Sequence, residues 1–153
     1  MTITFSLRQL DDRAAKKLGV AIASMDPWRT LRIGPETIAR QLLEPEDHLR
    51  QHEICLKKEC AGAIVVRAPW LYGPYISLLA ILPDYQAMGL GAAVLRKVAN
   101  ETKPRPKNIW VCVSSFNQRA QRFYTRNGFE HVGTLPGLIR PKFTELLMRK
   151  RLG

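Results

Sequence analysis

The hexapeptide Gln86-Ala87-Met88-Gly89-Leu90-Gly91 is the stretch whose residue types and spacing most plainly suit chemistry. Two glycines stand at the mouth of a helix, where the first backbone N–H groups lack internal partners. Glycine lets backbone approach a ligand closely, and the free N–H groups and the helix dipole both favour an anion. The chemistry this predicts is phosphate binding by main chain. An ordinary strand-to-helix turn uses the same Gly-x-Gly, so the loop alone does not decide between the two. It is not a dinucleotide fingerprint, because no third glycine follows at the required spacing and no acidic residue lies about twenty positions on. Nor does a Lys-Ser/Thr pair follow, as a nucleotide P-loop would need.

Such a loop must be held between a strand and a helix, and the flanking residues supply both. Ile76 to Leu82 is short, apolar apart from Ser77, and stopped by Pro83-Asp84, the pattern of a buried strand with a turn after it. Ala92, Ala93, Val94, Leu95, Val98 and Ala99 form a helical apolar stripe, with Arg96 and Lys97 outward. Downstream, Ile109 to Val113 alternates and is rich in strand formers. Asn117 then suits the cap of a helix whose Ala120, Phe123 and Tyr124 share a face and which Asn127-Gly128 ends. Read by itself, Tyr124 is a core-edge aromatic beside Phe123.

Together the two stretches resemble the GNAT superfamily of acyl-CoA N-acyltransferases. The resemblance rests on Gln86-x-x-Gly89-x-Gly91, matching that family's Gln/Arg-x-x-Gly-x-Gly/Ala pyrophosphate loop, and on Asn117-x-x-Ala120-x-x-Phe123-Tyr124-x-x-x-Gly128-Phe129. It runs residue by residue from about Ser77 to Phe129, and only by order of elements before Cys60. It implies an α/β (α+β) fold: a mixed, mostly antiparallel seven-stranded sheet, about four helices on its two faces, and splayed fourth and fifth strands. One domain would span residues 1–153.

The resemblance also implies acetyl transfer from acetyl-CoA to a primary amine by direct attack in a ternary complex, with no metal. The acyl-pantetheine arm would lie between the splayed strands, with Leu79, Ala80 and Ile81 offering main-chain contacts. Gln86, Ala87, Met88, Gly89, Leu90, Gly91 and Ala92 would surround the pyrophosphate. Gln86 stands where many relatives carry Arg, which removes one charge-assisted phosphate bond. Asn117 would reach the coenzyme, although a helix cap is its competing role. Tyr124 falls where the family places a Tyr near the sulfur, and would give a proton or hydrogen bond to a leaving thiolate of ordinary pKa about 8.5. Trp28, in the junction that borders the acceptor pocket, and Ser77 are the nominated substrate residues. A Trp anchoring the helix junction is the alternative for Trp28.

The general base is harder to assign. Among subfamilies, Pro27-Trp28 and Pro83-Asp84-Tyr85-Gln86 resemble the ribosomal-protein N-terminal alanine acetyltransferases. Those enzymes place a Glu on the fifth strand, where this chain has Cys112, a thiol that its flanking valines suggest is packed core. Other relatives put a Glu on the fourth strand, and Tyr75 to Ile81 has none. His48, His52, Glu53 and His131 remain as nominees, each also readable as a plain surface or strand residue.

Bulk properties agree with a soluble, cytoplasmic enzyme. The chain of 153 residues has no membrane-length apolar run, and Met1 to Leu10 lacks the basic head and apolar body of a leader. Cys55, Cys60 and Cys112 are too few and too scattered for a disulfide framework or a zinc site. The net charge of +11 is uneven: residues 1–59 balance at +1 and residues 60–153 at +10. That excess accompanies the phosphate loop and would concentrate an anionic coenzyme, or it is a solvated basic face. No finger, arm or aromatic-interleaved basic patch points to nucleic acid. A homodimer is compatible with the family.

In order, the chain predicts a strand over 2–10 and a helix from Asp11-Asp12 to about Ser24, burying Ala15, Leu18, Ile22 and Met25. Asp26-Pro27-Trp28 breaks it, and Pro35-Glu36 starts a helix carrying Ile38, Leu42 and Leu43. Strands follow over 48–56 and 61–68, then a loop over 69–74. The last two strands are expected over 130–135 and 143–149. Two functional classes result: the acetyltransferase, or a non-catalytic acyl-CoA sensor or basic interaction module, which would have no use for a proton donor at the sulfur.

Overall fold

Side-chain alternation and one irregularity within it determine how the sheet is built. The computed structural model describes residues 2–153; Met1, the first residue of the stretch read for a leader, lies outside them. In chain order the strands are β1 (Ser6–Gln9), β2 (Leu49–Leu56), β3 (Glu59–Trp70), β4 (Gly73–Ile81), β5 (Asn108–Ser114), β6 (Glu130–Pro136) and β7 (Thr144–Arg151). The helices are α1 (Asp12–Ala23), α2 (Trp28–Leu31), α3 (Pro35–Leu43), α4 (Leu90–Glu101) and α5 (Gln118–Arg126). The seven strands form one sheet in the order β1-β2-β3-β4-β5-β7-β6. Every neighbouring pair is antiparallel except β4 and β5, which run parallel.

The irregularity is in β4. Its register against β3 passes from Val65↔Leu78 to Val66↔Ile76, so Ser77 is an extra residue. A bulge of this kind bends the strand and reverses the side-chain alternation beyond it. Leu78 and Ala80 therefore face α1 and α3, while Ile76 packs on the opposite layer with Leu95 and Val111. The Ser77 hydroxyl donates to the Val65 carbonyl at 3.4 Å. Pairing of β4 with β5 stops at the same place: only Tyr75↔Trp110 and Ile76↔Val111 are in register. Beyond Ile76 the two strands part, and the β5-facing edge of residues 77–81 has no strand partner among the described residues. The expected splay is present.

Two layers cover the sheet. On one face α1 and α3 bury Ala15, Leu18, Ile22, Ile38 and Leu42 against Ala63, Val65, Leu78 and Ala80. Asp11 caps α1 by accepting from Ala14 N at 2.8 Å, and Pro35 opens α3. On the other face α4 buries Leu90, Val94 and Val98 against Ile54, Ile64 and Val66, and α5 adds Tyr124 beside Phe129.

Three expectations need correction. The first strand begins only at Ser6. The expected break at Asp26-Pro27-Trp28 contains the short helix α2, held because Asp26 accepts from Thr30 N at 3.2 Å and Thr30 Oγ1 at 2.6 Å. The expected loop over 69–74 is instead the tip of the β3–β4 hairpin, where Trp70 pairs with Gly73. Aromatic packing holds that tip: Trp70 lies 4.9 Å from Tyr75 and 5.5 Å from Trp110 between ring centroids.

Ile38 is fully buried between α1 and the sheet. Ile38→Ala is expected to lower the unfolding free energy in urea by about 2–5 kcal/mol. Val20→Ala, at a 63 % exposed position of α1, should change it by less than about 0.5 kcal/mol.

Candidate active site

Where β4 and β5 part, a cavity of about 1150 Å³ opens, lined from both strands, the glycine loop, α5 and the α2 region. Its first half is the loop. Ala87 has φ +62° and Gly89 φ +84°, and Gly89 caps α4 without any side-chain hydrogen bond. The first helical bond there runs from Ala93 N to Gly89 O at 3.1 Å, so the N–H groups of Leu90, Gly91 and Ala92 have no intrahelical partner. A Cβ on Gly89 would meet nothing within 4 Å, and Leu90, Gly91 and Ala92 line the cavity with it. The Gln86 amide clamps the loop to the end of β4 by donating to Ile81 O at 2.7 Å. The arrangement fits a phosphate group.

Gly91 has a different reason to be glycine. A Cβ there would sit 2.9 Å from Phe123 Cζ. The second glycine thus lets α4 and α5 close on each other, and Phe123 in turn packs edge-on to Tyr124 at 4.9 Å. Around the same end of the cavity α5 carries Arg119, Arg122 and Arg126 on its solvent side. Among the described residues none of the three has a carboxylate partner. Asn117 caps α5 through Oδ1, accepting from Ala120 N at 3.1 Å, and also lines the cavity, so its amide nitrogen stays available.

Tyr124 follows Phe123 on α5 and packs against its ring. It is 6 % exposed and lines the cavity, and burial raises its hydroxyl pKa, keeping it protonated. Opposite lies a group of polar side chains on the far face of the fork. Tyr75 of β4 is raised by burial first, then by the neighbouring Cys112 thiol and by Glu145. Glu145 of β7 pairs in register with Ser114 of β5, whose hydroxyl donates to the carboxylate, at 3.0 Å from each oxygen. Glu145 is only 2 % exposed and has no cationic partner among the described residues. Burial raises its pKa, and the Ser114 hydrogen bond opposes part of that shift.

The outer wall of this second half comes from α2 and the β6–β7 loop. Arg140 binds the two together, donating from Nε to Leu31 O at 2.9 Å and from Nη2 to Arg32 O at 3.2 Å. Trp28, Leu31 and Ile33 face the cavity from one side, Leu138 and Ile139 from the other.

Most of the nominated residues therefore meet. Leu79, Ala80, Ile81, Gln86, Ala87, Gly89, Leu90, Gly91, Ala92, Asn117, Tyr124, Trp28 and Ser77 all line this one cavity. Met88 does not, and its side chain is 45 % exposed. None of the four base nominees lines it either. Glu53 is paired with Arg8 at 3.3 Å, and His131 Nε2 lies 2.7 Å from Gly133 O and 3.0 Å from the Thr134 hydroxyl. Cys112 is half-buried and reaches the cavity, so its reading as packed core is corrected. Glu145 and Tyr75 were not nominated at all. The signal for Glu145 was a lone carboxylate inside the apolar run Phe143 to Met148, since an unpaired Glu is seldom placed among core residues.

Comparison with known proteins agrees with this geometry. Residues 18–129 match the Acetyltransferase (GNAT) family, and the chain belongs to that family. An acetyltransferase structure from Thermus thermophilus superposes with TM-score 0.77 at 23 % identity, covering 98 % of each chain. A Bacillus anthracis acetyltransferase structure in complex with acetyl coenzyme A superposes with TM-score 0.64 at 16 % identity, covering 74 % of this chain and 68 % of that one. An uncharacterised N-acetyltransferase of Mycobacterium tuberculosis is 42 % identical over 60 residues, 39 % of this chain and 38 % of that protein. The chain thus matches under two fifths of the length of this curated relative.

If Gly91 and Phe123 share one space, their substitutions must interact. A double-mutant cycle of Gly91→Ala and Phe123→Leu, followed by chemical denaturation, is expected to give a coupling energy of about 0.5–3 kcal/mol. Additive effects would mean that the two positions do not confine each other.

Proposed function

We propose that this protein transfers an acetyl group from acetyl-CoA to a primary amine by direct attack within a ternary complex. The observation that carries the reading is Tyr124, a buried, protonated hydroxyl that lines one cavity together with the phosphate-type loop and the polar side chains of Tyr75, Cys112 and Glu145. The pyrophosphate is assigned to the N–H groups at the start of α4, with Arg119, Arg122 and Arg126 supplying positive potential beside it. The pantetheine arm is assigned to the unpartnered edge of β4 at Leu79, Ala80 and Ile81. One of those N–H groups polarises the thioester carbonyl, where negative charge grows in the transition state.

Attack by a neutral amine forms the C–N bond, and collapse of the tetrahedral intermediate breaks the C–S bond. Tyr124 lowers the cost of that second step by giving a proton to the departing sulfur. Its burial suits a donor, because a hydroxyl held well above neutral pKa stays protonated until the thiolate forms. Trp28 and Ser77 lie on the acceptor side of the same cavity, where an amine would approach the carbonyl.

Tyr124→Phe is expected to lower kcat by at least about tenfold while leaving acetyl-CoA affinity nearly unchanged, since only the transition-state interaction is removed. An unchanged kcat, read by thiol release over an amine panel, would remove Tyr124 from the reaction. Gly89→Asp places bulk, an unfavourable φ and negative charge in front of the α4 donors. Calorimetry should then detect no acetyl-CoA binding by the folded variant, and undiminished affinity would refute the loop assignment. Dephospho-CoA keeps the pyrophosphate and lacks the ribose phosphate, so its binding more weakly than CoA would extend the role of the positive field to that second phosphate.

A further inference from the structure

The proposed reaction leaves two questions: what removes the amine proton, and what kind of amine enters. Resting on that reading, we propose that Glu145 is the proton acceptor and that the pocket takes a singly charged primary amine with an apolar aryl or alkyl body.

Glu145 lines the cavity, and its in-register partner Ser114 alternates along β5 with Val111 and Val113, which pack on the α4–α5 layer, so the carboxylate lies on the other face of the sheet from the phosphate-type loop. The groups facing it from the packed elements are Ser114 and Cys112 on β5, Tyr75 on β4 and Leu135 on β6. None of them is cationic. A buried carboxylate without a positive partner is unfavourable for folding, and an ammonium ion from the acceptor would supply the missing charge. Ser114 fixes the carboxylate by donating to it, 3.0 Å from each oxygen, and so acts as a positioning residue.

The walls decide the body of the acceptor. Trp28, Leu31, Ile33, Phe116, Leu138 and Ile139 line the same cavity as Glu145 with apolar side chains. The other acidic residue lining the cavity in this half, Asp26, already accepts from Thr30 and Arg29, so no free second carboxylate waits for a second ammonium group. The protein carries a net charge of +11, and the three α5 arginines without carboxylate partners among the described residues stand at the same cavity. That field opposes a polycation such as spermidine or a Lys-rich peptide.

The proton balance closes. The ammonium ion gives one proton to Glu145, which returns it to solvent, and the neutral amine attacks the thioester carbonyl. The nitrogen then gives a second proton to Tyr124 as Tyr124 protonates the leaving sulfur. The amide keeps the third. Products are the N-acetylated amine, CoA thiol and one released proton.

The test measures thiol release from acetyl-CoA with 2-phenylethylamine, hexylamine and spermidine, using wild type, Glu145→Gln and Ser114→Ala. Wild-type kcat/KM should favour both monoamines over spermidine by at least about tenfold, and Glu145→Gln should lose about 10²–10⁴-fold on the monoamines with unchanged acetyl-CoA affinity. Because only the ionised carboxylate accepts a proton, kcat/KM should rise with pH through a limb above the ordinary carboxylate value, and Glu145→Gln should erase that limb. Ser114→Ala removes the hydrogen bond that lowers the Glu145 pKa, so its limb should move to higher pH. A purely structural pair would shift neither limb. Spermidine equalling the monoamines, or survival in Glu145→Gln of the lower limb, as distinct from the alkaline limb of the amine itself, overturns the proposal. Should wild type acetylate no amine at all, the transferase reading fails. The proton-acceptor role falls with it, and calorimetry of 2-phenylethylamine with the protein–CoA complex decides the pocket: binding lost in Glu145→Gln sustains Glu145 as the ammonium partner, and absent or equal binding overturns that too.

Discussion

One extra residue in one strand is the constraint on which the site depends. Had β4 kept regular alternation, Ile76 would lie on the same face as Leu78, and nothing would oblige the strand to leave β5. The bulge at Ser77 puts Ile76 in one core and Leu78 in the other, so each half of β4 is anchored to a different layer. The strand is bent by its own burial. Two pairs of parallel register hold the fork closed at its base, and everything beyond them is available to a ligand. A cavity in the middle of a sheet normally leaves unsatisfied backbone; here the unpaired edge of residues 77–81 lines the cavity itself.

Across that fork, two sequence motifs that read as independent features turn out to be one contact. Gly91 belongs to the loop and Phe123 to the helix after β5, yet the ring occupies the space a Cβ would need. The same ring packs on Tyr124, so the distance from the loop to the hydroxyl is set by a chain of van der Waals contacts. Gly89 alone retains the role expected of a phosphate-loop glycine, with positive φ and open space before it.

The sequence carried the local parts well. The strand–loop–helix around Gly89, the inner faces of α1 and α3, and the cap at Asn117 follow from periodicity and turn chemistry within a dozen residues of each other. What stayed hidden depends on pairing between distant segments. Glu145 reaches the cavity because β7 lies beside β5, placing it opposite a serine 31 positions earlier. Cys112, between two valines, looks like core until the parting of β4 uncovers its face. The hairpin tip at 69–74 carries prolines that argue for a loop, and only the packing of Trp70 on Tyr75 and Trp110 makes it strand. The Ser77 bulge itself has no local signature beyond one hydroxyl in an apolar run.

The Arg140 strap has a bearing on how such a protein changes over generations. It closes the acceptor side by joining two loops more than a hundred residues apart in the chain, and both of its bonds end on main-chain oxygens. Backbone carbonyls are present whatever side chains α2 carries. The strap itself thereby does not depend on which side chains α2 turns to the pocket, although Leu31 is buried and Trp28 packs on the α1–α3 core. The coenzyme side has no such latitude, since its glycines and Phe123 confine each other. A bond to main chain outlasts exchange of its neighbours' side chains; a contact between a missing Cβ and a ring does not.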